Sequence, residues 1–80
     1  MMSFMFEVYY RSPADLRREA ALTDRVSQFG GRLTYREVPQ ESGRAVCLTY
    51  EFDGQDRAEV AAESLRAQGE HVEGPMDYGD

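Results

Sequence analysis

The stretch RLTYREVPQESGRAVCLTYEF, running from Arg32 to Phe52, decides the fold. Its second half, Ala45 to Phe52, alternates without a break. Val46, Leu48, Tyr50 and Phe52 fall on one face, and Ala45, Cys47, Thr49 and Glu51 on the other. Such a period of two marks a strand with one buried side. The first half, Arg32 to Val38, alternates as a second strand, with Leu33 and Tyr35 expected inward and Thr34, Arg36 and Val38 outward. Pro39-Gln40-Glu41-Ser42-Gly43 lies between them as a turn of hairpin length.

Working outward, Phe4 to Arg11 is rich in β-formers and reads as a central strand. Phe4, Phe6, Val8 and Tyr10 share its inner face; Met5, Glu7, Tyr9 and Arg11 share the outer one. Ser12-Pro13-Ala14-Asp15 then supplies a hydroxyl for an N-cap, a proline for the first helical position and an early acid. This predicts a helix from Pro13 to about Phe29, closed by Gly30-Gly31, with Leu16, Ala20, Leu22, Val26 and Phe29 on its inner arc. Glu19 falls within that arc, which loosens the expected packing. Beyond the hairpin, Asp53-Gly54-Gln55-Asp56 opens a second helix with Asp56 and Glu59 spaced as a capping box. Ala58, Ala61, Ala62 and Leu65 form a narrow apolar stripe, and Gly69 ends the helix. His71-Val72-Glu73 is a short last strand before Gly74-Pro75, leaving residues 74–80 as a loose tail.

The order is β-α-β-β-α-β. In element order it resembles the ferredoxin-like plait: an α+β domain over residues 1–73, with a four-stranded antiparallel sheet and both helices on one face. Many unrelated activities share that architecture, so function must come from particular residues.

The chain of 80 residues is one domain with a net charge of −6. Lysine, asparagine and isoleucine are absent, a codon bias that points to a GC-rich bacterial genome and accounts for every basic residue being arginine. No run approaches 18 apolar residues, and Glu7 interrupts the apolar start too early for a signal peptide; the expectation is a cytoplasmic protein with no membrane partner. Residues 1–40 carry six arginines and five acids, residues 41–80 three arginines and ten acids. An acidic second half argues against nucleic acid as a partner. With one cysteine and one histidine, no disulfide and no structural zinc site are expected, and no cofactor.

The sequence nominates no catalytic residue. Cys47 lacks the flanking motif of a reactive thiol and reads as a small packing residue. A phosphate loop is excluded by the missing lysine and glycine pattern. What stands out is the sheet face that the helices leave open. Met5, Glu7, Tyr9, Arg36, Cys47 and Thr49 are expected there, with His71 and Glu73 adjoining from the last strand. The face has too few aromatics, and too many acids, to stack RNA bases. Its apolar members, set among charges, suggest an interaction module that forms a homodimer or meets a protein partner. Two other readings are a small-molecule or enzymatic site between subunits around Tyr9 and His71, and an acidic protein that occupies a basic nucleic-acid-binding surface.

Overall fold

Alternating strands and two amphipathic helices bury one common set of side chains in the computed structural model, which describes residues 3–41 and 43–77. The elements are β1 (Phe4–Arg11), α1 (Leu16–Gln28), β2 (Arg32–Glu37), β3 (Ala45–Phe52), α2 (Gln55–Ala67) and β4 (His71–Asp77). The sheet order is β2-β3-β1-β4, antiparallel throughout, with both helices packed on one face: a ferredoxin-like plait. No helix among the described residues is long and apolar enough to cross a membrane.

The two central strands pair without a slip, from Phe4 opposite Phe52 to Arg11 opposite Ala45. Their inner residues, Phe6, Val8, Tyr10, Val46, Leu48, Tyr50 and Phe52, are all buried. Leu22 and Val26 close over them from α1, and Ala58, Ala61, Ala62 and Leu65 from α2. The alanine stripe of α2 lets that helix lie close to the sheet, with Leu65 as its one large anchor.

The start of α1 departs from the expected pattern. Ser12 is not the cap, because its N–H and hydroxyl both bond to the Arg44 carbonyl at 3.2 and 2.5 Å, prolonging the β1–β3 pairing. Asp15 caps instead, its carboxylate accepting the Arg18 N–H at 3.1 Å. Starting at Leu16 leaves that residue 71 % exposed, and Ala20 is exposed too. The inner face is Glu19, Leu22 and Val26. The capping box expected on α2 does not form: Gly54 is the N-cap and no side chain bonds the first turn.

At the end of α1 the two glycines serve different needs. Gly30 takes the left-handed conformation (φ 88°) that turns the chain out of the helix. Gly31 is required for space, since a Cβ there would lie 2.4 Å from the Phe52 ring and 2.5 Å from Val26.

Both outer strands carry an irregularity. In β2 the register slips between Leu33 and Tyr35, so Leu33 faces Tyr50 but Tyr35 faces Thr49 and Arg36 faces Leu48. One extra residue in a strand flips every side chain after it. Tyr35 therefore points to the open face, not inward, and Arg36 points toward the helices. In β4 a second slip, opposite Phe6, absorbs Gly74 and Pro75 and lets pairing resume with Met76 opposite Met5. The strand thus continues through Gly74-Pro75 to Asp77, where a loose tail was expected; residues 78–80, including Tyr78, lie outside the described residues.

Candidate functional site

The register of the four strands lays out the open face as rows. One row reads Glu37, Cys47, Tyr9, His71 across β2, β3, β1 and β4. The next reads Tyr35, Thr49, Glu7, Glu73, and the third Arg32, Glu51, Met5, Met76. Arg11 and Ala45 pair at the top of the two central strands. Of the residues nominated from sequence, Met5, Glu7, Tyr9, Cys47, Thr49, His71 and Glu73 are all on this face. Arg36 is not. The bulge in β2 turns it to the other side, where its guanidinium bonds both Glu19 carboxylate oxygens at 2.5 and 3.2 Å. Tyr35, Glu37 and Met76 join the face in its place. Their positions depend on the two slips, which strict alternation does not register.

Hydrogen bonds link the centre of the face. The Tyr9 hydroxyl donates to Glu7 Oε1 at 2.9 Å, and the Cys47 thiol points to Glu7 Oε2 at 3.9 Å. The Tyr9 ring meets His71 edge-on, with centroids 5.8 Å apart, and His71 Nε2 lies 2.8 Å from Glu73 Oε2. On the β2 side, Arg32 bridges Glu51 and Asp53, each at 3.3 Å. The loop after β2 borders an open depression in which Val38, Pro39 and Glu41 stand around Tyr9 and Cys47.

The electrostatics argue against a nucleophile. The hydrogen bond to Glu7, helped by burial, holds the Tyr9 hydroxyl well above its ordinary pKa, so it stays a proton donor. Burial pushes the Cys47 thiol up; its hydrogen bond with Tyr9 opposes this, and the Glu7 and Glu37 carboxylates add to it. A thiol kept protonated among carboxylates packs well and reacts poorly. Among the described residues, no three His, Cys, Asp or Glu side chains are grouped to hold a metal ion.

The opposite side of the sheet holds a charged cluster that the sequence only hinted at. Glu19, 6 % exposed, accepts from the Tyr10 hydroxyl as well as from Arg36. The same Tyr10 oxygen accepts the Asp15 N–H at 2.8 Å, and the Arg18 guanidinium stacks 4.9 Å over the Tyr10 ring. Burial pushes the Glu19 carboxyl up, but the bonds from Arg36 and Tyr10 outweigh it and hold it below the ordinary carboxylate value. Glu19 on the inner arc of α1 was the available signal, because a buried acid needs a cation within reach. With no buried side-chain polar atom among the described residues left unpaired, this cluster fastens α1 to β1 and β2 and leaves the open face as the candidate site. No protein-family model matches the chain, and no curated protein or solved structure matches it significantly.

Proposed function

We propose that this chain is a non-catalytic interaction module that self-associates as a two-fold dimer through the open face of its sheet. One observation carries the reading. β1 places Met5 and Tyr9 on the uncovered face as well as four apolar or aromatic residues on the covered one, with Met76 and Cys47 beside them. A sheet face that simply meets water usually carries polar residues at alternate positions. Here Tyr9, Cys47 and Tyr35 on one side, and Met5 with Met76 on the other, flank Thr49, Glu7 and Glu73, with Glu37, Glu51, Arg11 and Arg32 around them.

A second copy can be seated on this face without setting carboxylate against carboxylate. Consider two faces joined about a two-fold axis centred between β1 and β3 and midway between the Tyr9 and Glu7 rows. With the axis along the strands, Glu7 meets Thr49 of the second copy, Glu73 meets Tyr35, and Glu51 meets Met5. With the axis across them, Glu7 meets Tyr9, Glu37 meets Tyr35, and Glu51 meets Ala45. In neither of these two placements do two carboxylates face each other, so an isologous contact can form there without opposing like charges.

Light scattering and sedimentation velocity at about 0.1 mM test the reading, since a dimer with Kd near 10 μM is largely assembled there. The unmodified chain should run as a dimer, and Tyr9→Asp, which places an unpaired charge in the contact, as a folded monomer. A monomer for the unmodified chain at that concentration overturns the proposal.

A further inference from the structure

We infer that the buried pair of Glu19 and Arg36 sets the register of β2, and so decides, from the helix side of the sheet, which residues β2 presents on the open face. The inference does not depend on what meets that face. β2 holds one residue more than its pairing with β3 uses. Leu33 lies opposite Tyr50 and Tyr35 opposite Thr49, so Thr34 is left over between them. Its hydroxyl still reaches the Thr49 carbonyl, at 3.4 Å, beside the place it would hold in an unbroken ladder. That ladder would set Thr34 opposite Thr49, Tyr35 opposite Leu48 and Arg36 opposite Cys47, with the Tyr35 ring inward and the guanidinium outward. The slipped strand does the reverse and leaves Tyr35 59 % exposed.

What offsets that exposure lies on α1. Glu19 is almost fully buried, and a carboxylate so placed needs a cation. Arg18 of the same helix is engaged by Glu70 and the Tyr10 ring, and Arg25 by Ser64. Arg36 supplies the charge, bonding both Glu19 oxygens at 2.5 and 3.2 Å, and the slip is what turns it inward. A buried charge left alone costs more than one exposed tyrosine ring, so the pair prevails over the alternation. The effect crosses the sheet. In the slipped register the open face carries the carboxylates of Glu7, Glu37, Glu51 and Glu73 against the guanidiniums of Arg11 and Arg32. In the unbroken register Glu37 leaves it and Arg36 joins it, and the two signs balance. One ion pair beneath α1 therefore switches the face between acidic and neutral.

NMR of the full chain reads the register from cross-strand backbone contacts. The unmodified chain should show Glu37 against Cys47 and Arg36 against Leu48. Glu19→Leu removes the need for a cation and should shift these contacts by one residue. Arg36 then lies against Cys47 and Tyr35 against Leu48, while the β1–β3 contacts stay as they are. Glu19→Met, with a more adaptable apolar side chain, repeats the test should Glu19→Leu fail to fold. Deleting Thr34 with Glu19 intact removes the surplus residue and should keep Glu37 against Cys47 in a regular ladder. A folded Glu19→Leu or Glu19→Met chain that keeps Glu37 against Cys47 overturns the inference. So does a Thr34 deletion that unfolds the chain or moves Glu37 away from Cys47, and so does failure of both apolar variants to fold.

Discussion

The two helices lie on the same face of the same sheet, yet they are held by different physics. α2 meets β1, β3 and β4 with Ala58, Ala61, Ala62 and Leu65, all buried and all apolar. α1 brings only Leu22 and Val26 as buried apolar residues, and the third buried position is Glu19. Its remaining ties are polar: Glu19 to Arg36 and Tyr10, Thr23 to the Tyr50 hydroxyl at 2.8 Å, and Arg25 to Ser64 of α2 at 3.0 Å. The difference follows from what lies beneath each helix. α2 packs over β1 and β3, whose inward residues are buried, and over β4, whose Val72 packs against the core, whereas α1 reaches toward β2, in which every residue is exposed. Where a sheet runs out of apolar surface, a directional charge pair can still fix a helix, at the cost of depending on solvent conditions.

The contrast is broken most severely on the dry side. Leu65→Ala should cost about 2–4 kcal/mol in chemical denaturation, because it removes the only large side chain of the α2 stripe and leaves a cavity. A loss below about 0.5 kcal/mol would mean that α2 does not depend on that anchor.

On the polar side, Glu19→Ala should cost about 1–3 kcal/mol, less than a fully enclosed ion pair because Arg36 is partly solvated. It should also change the acid limb of the stability curve. The Glu19 carboxyl is held low in the folded state, so its contribution is complete above the unfolded value, about 4.3, and is lost as pH falls through the folded value. Unfolding free energy should therefore drop more steeply below about pH 4 in the unmodified chain than in Glu19→Ala. Parallel acid limbs would show that the cluster contributes no proton-linked stability.

The helix starts sharpen the comparison with a smaller effect. Asp15→Ala removes the carboxylate that bonds the Arg18 N–H and should cost about 1 kcal/mol. Asp56→Ala, in a first turn that no side chain caps, should stay within about 0.5 kcal/mol. Equal losses in thermal melts would reject the assignment of Asp15 as the cap.

These differences trace what could be read beforehand. β1, β3 and the stripe of α2 keep one period from end to end, so their faces were legible residue by residue. β2 and β4 were not, because each holds one slip, and a slip reverses the face of everything beyond it while leaving the composition of the strand unchanged. That is why Tyr35 and Arg36 exchanged sides. It is also why Gly74-Pro75, a pair that ordinarily ends a strand, concealed a strand that continues to Met76 and Asp77. On the open face, the residues from β1 and β3 came through intact, while the contribution of β2 depended on a bulge that only the need of Glu19 for a cation foreshadowed.

The slip at Gly74-Pro75 has a bearing on polymerisation. A sheet extends from molecule to molecule when each end offers a row of free backbone groups to the next. At the β4 end Pro75 has no N–H to give, the ladder is interrupted, and Arg66 already occupies the carbonyls of Val72 and Gly74. The β2 end, which has its own slip between Leu33 and Tyr35 but no proline, is the less obstructed template among the described residues. Backbone pairing through one like end closes upon itself after two molecules and cannot run on into a fibre. A proline in the terminal strand thus confines edge-to-edge growth to pairs.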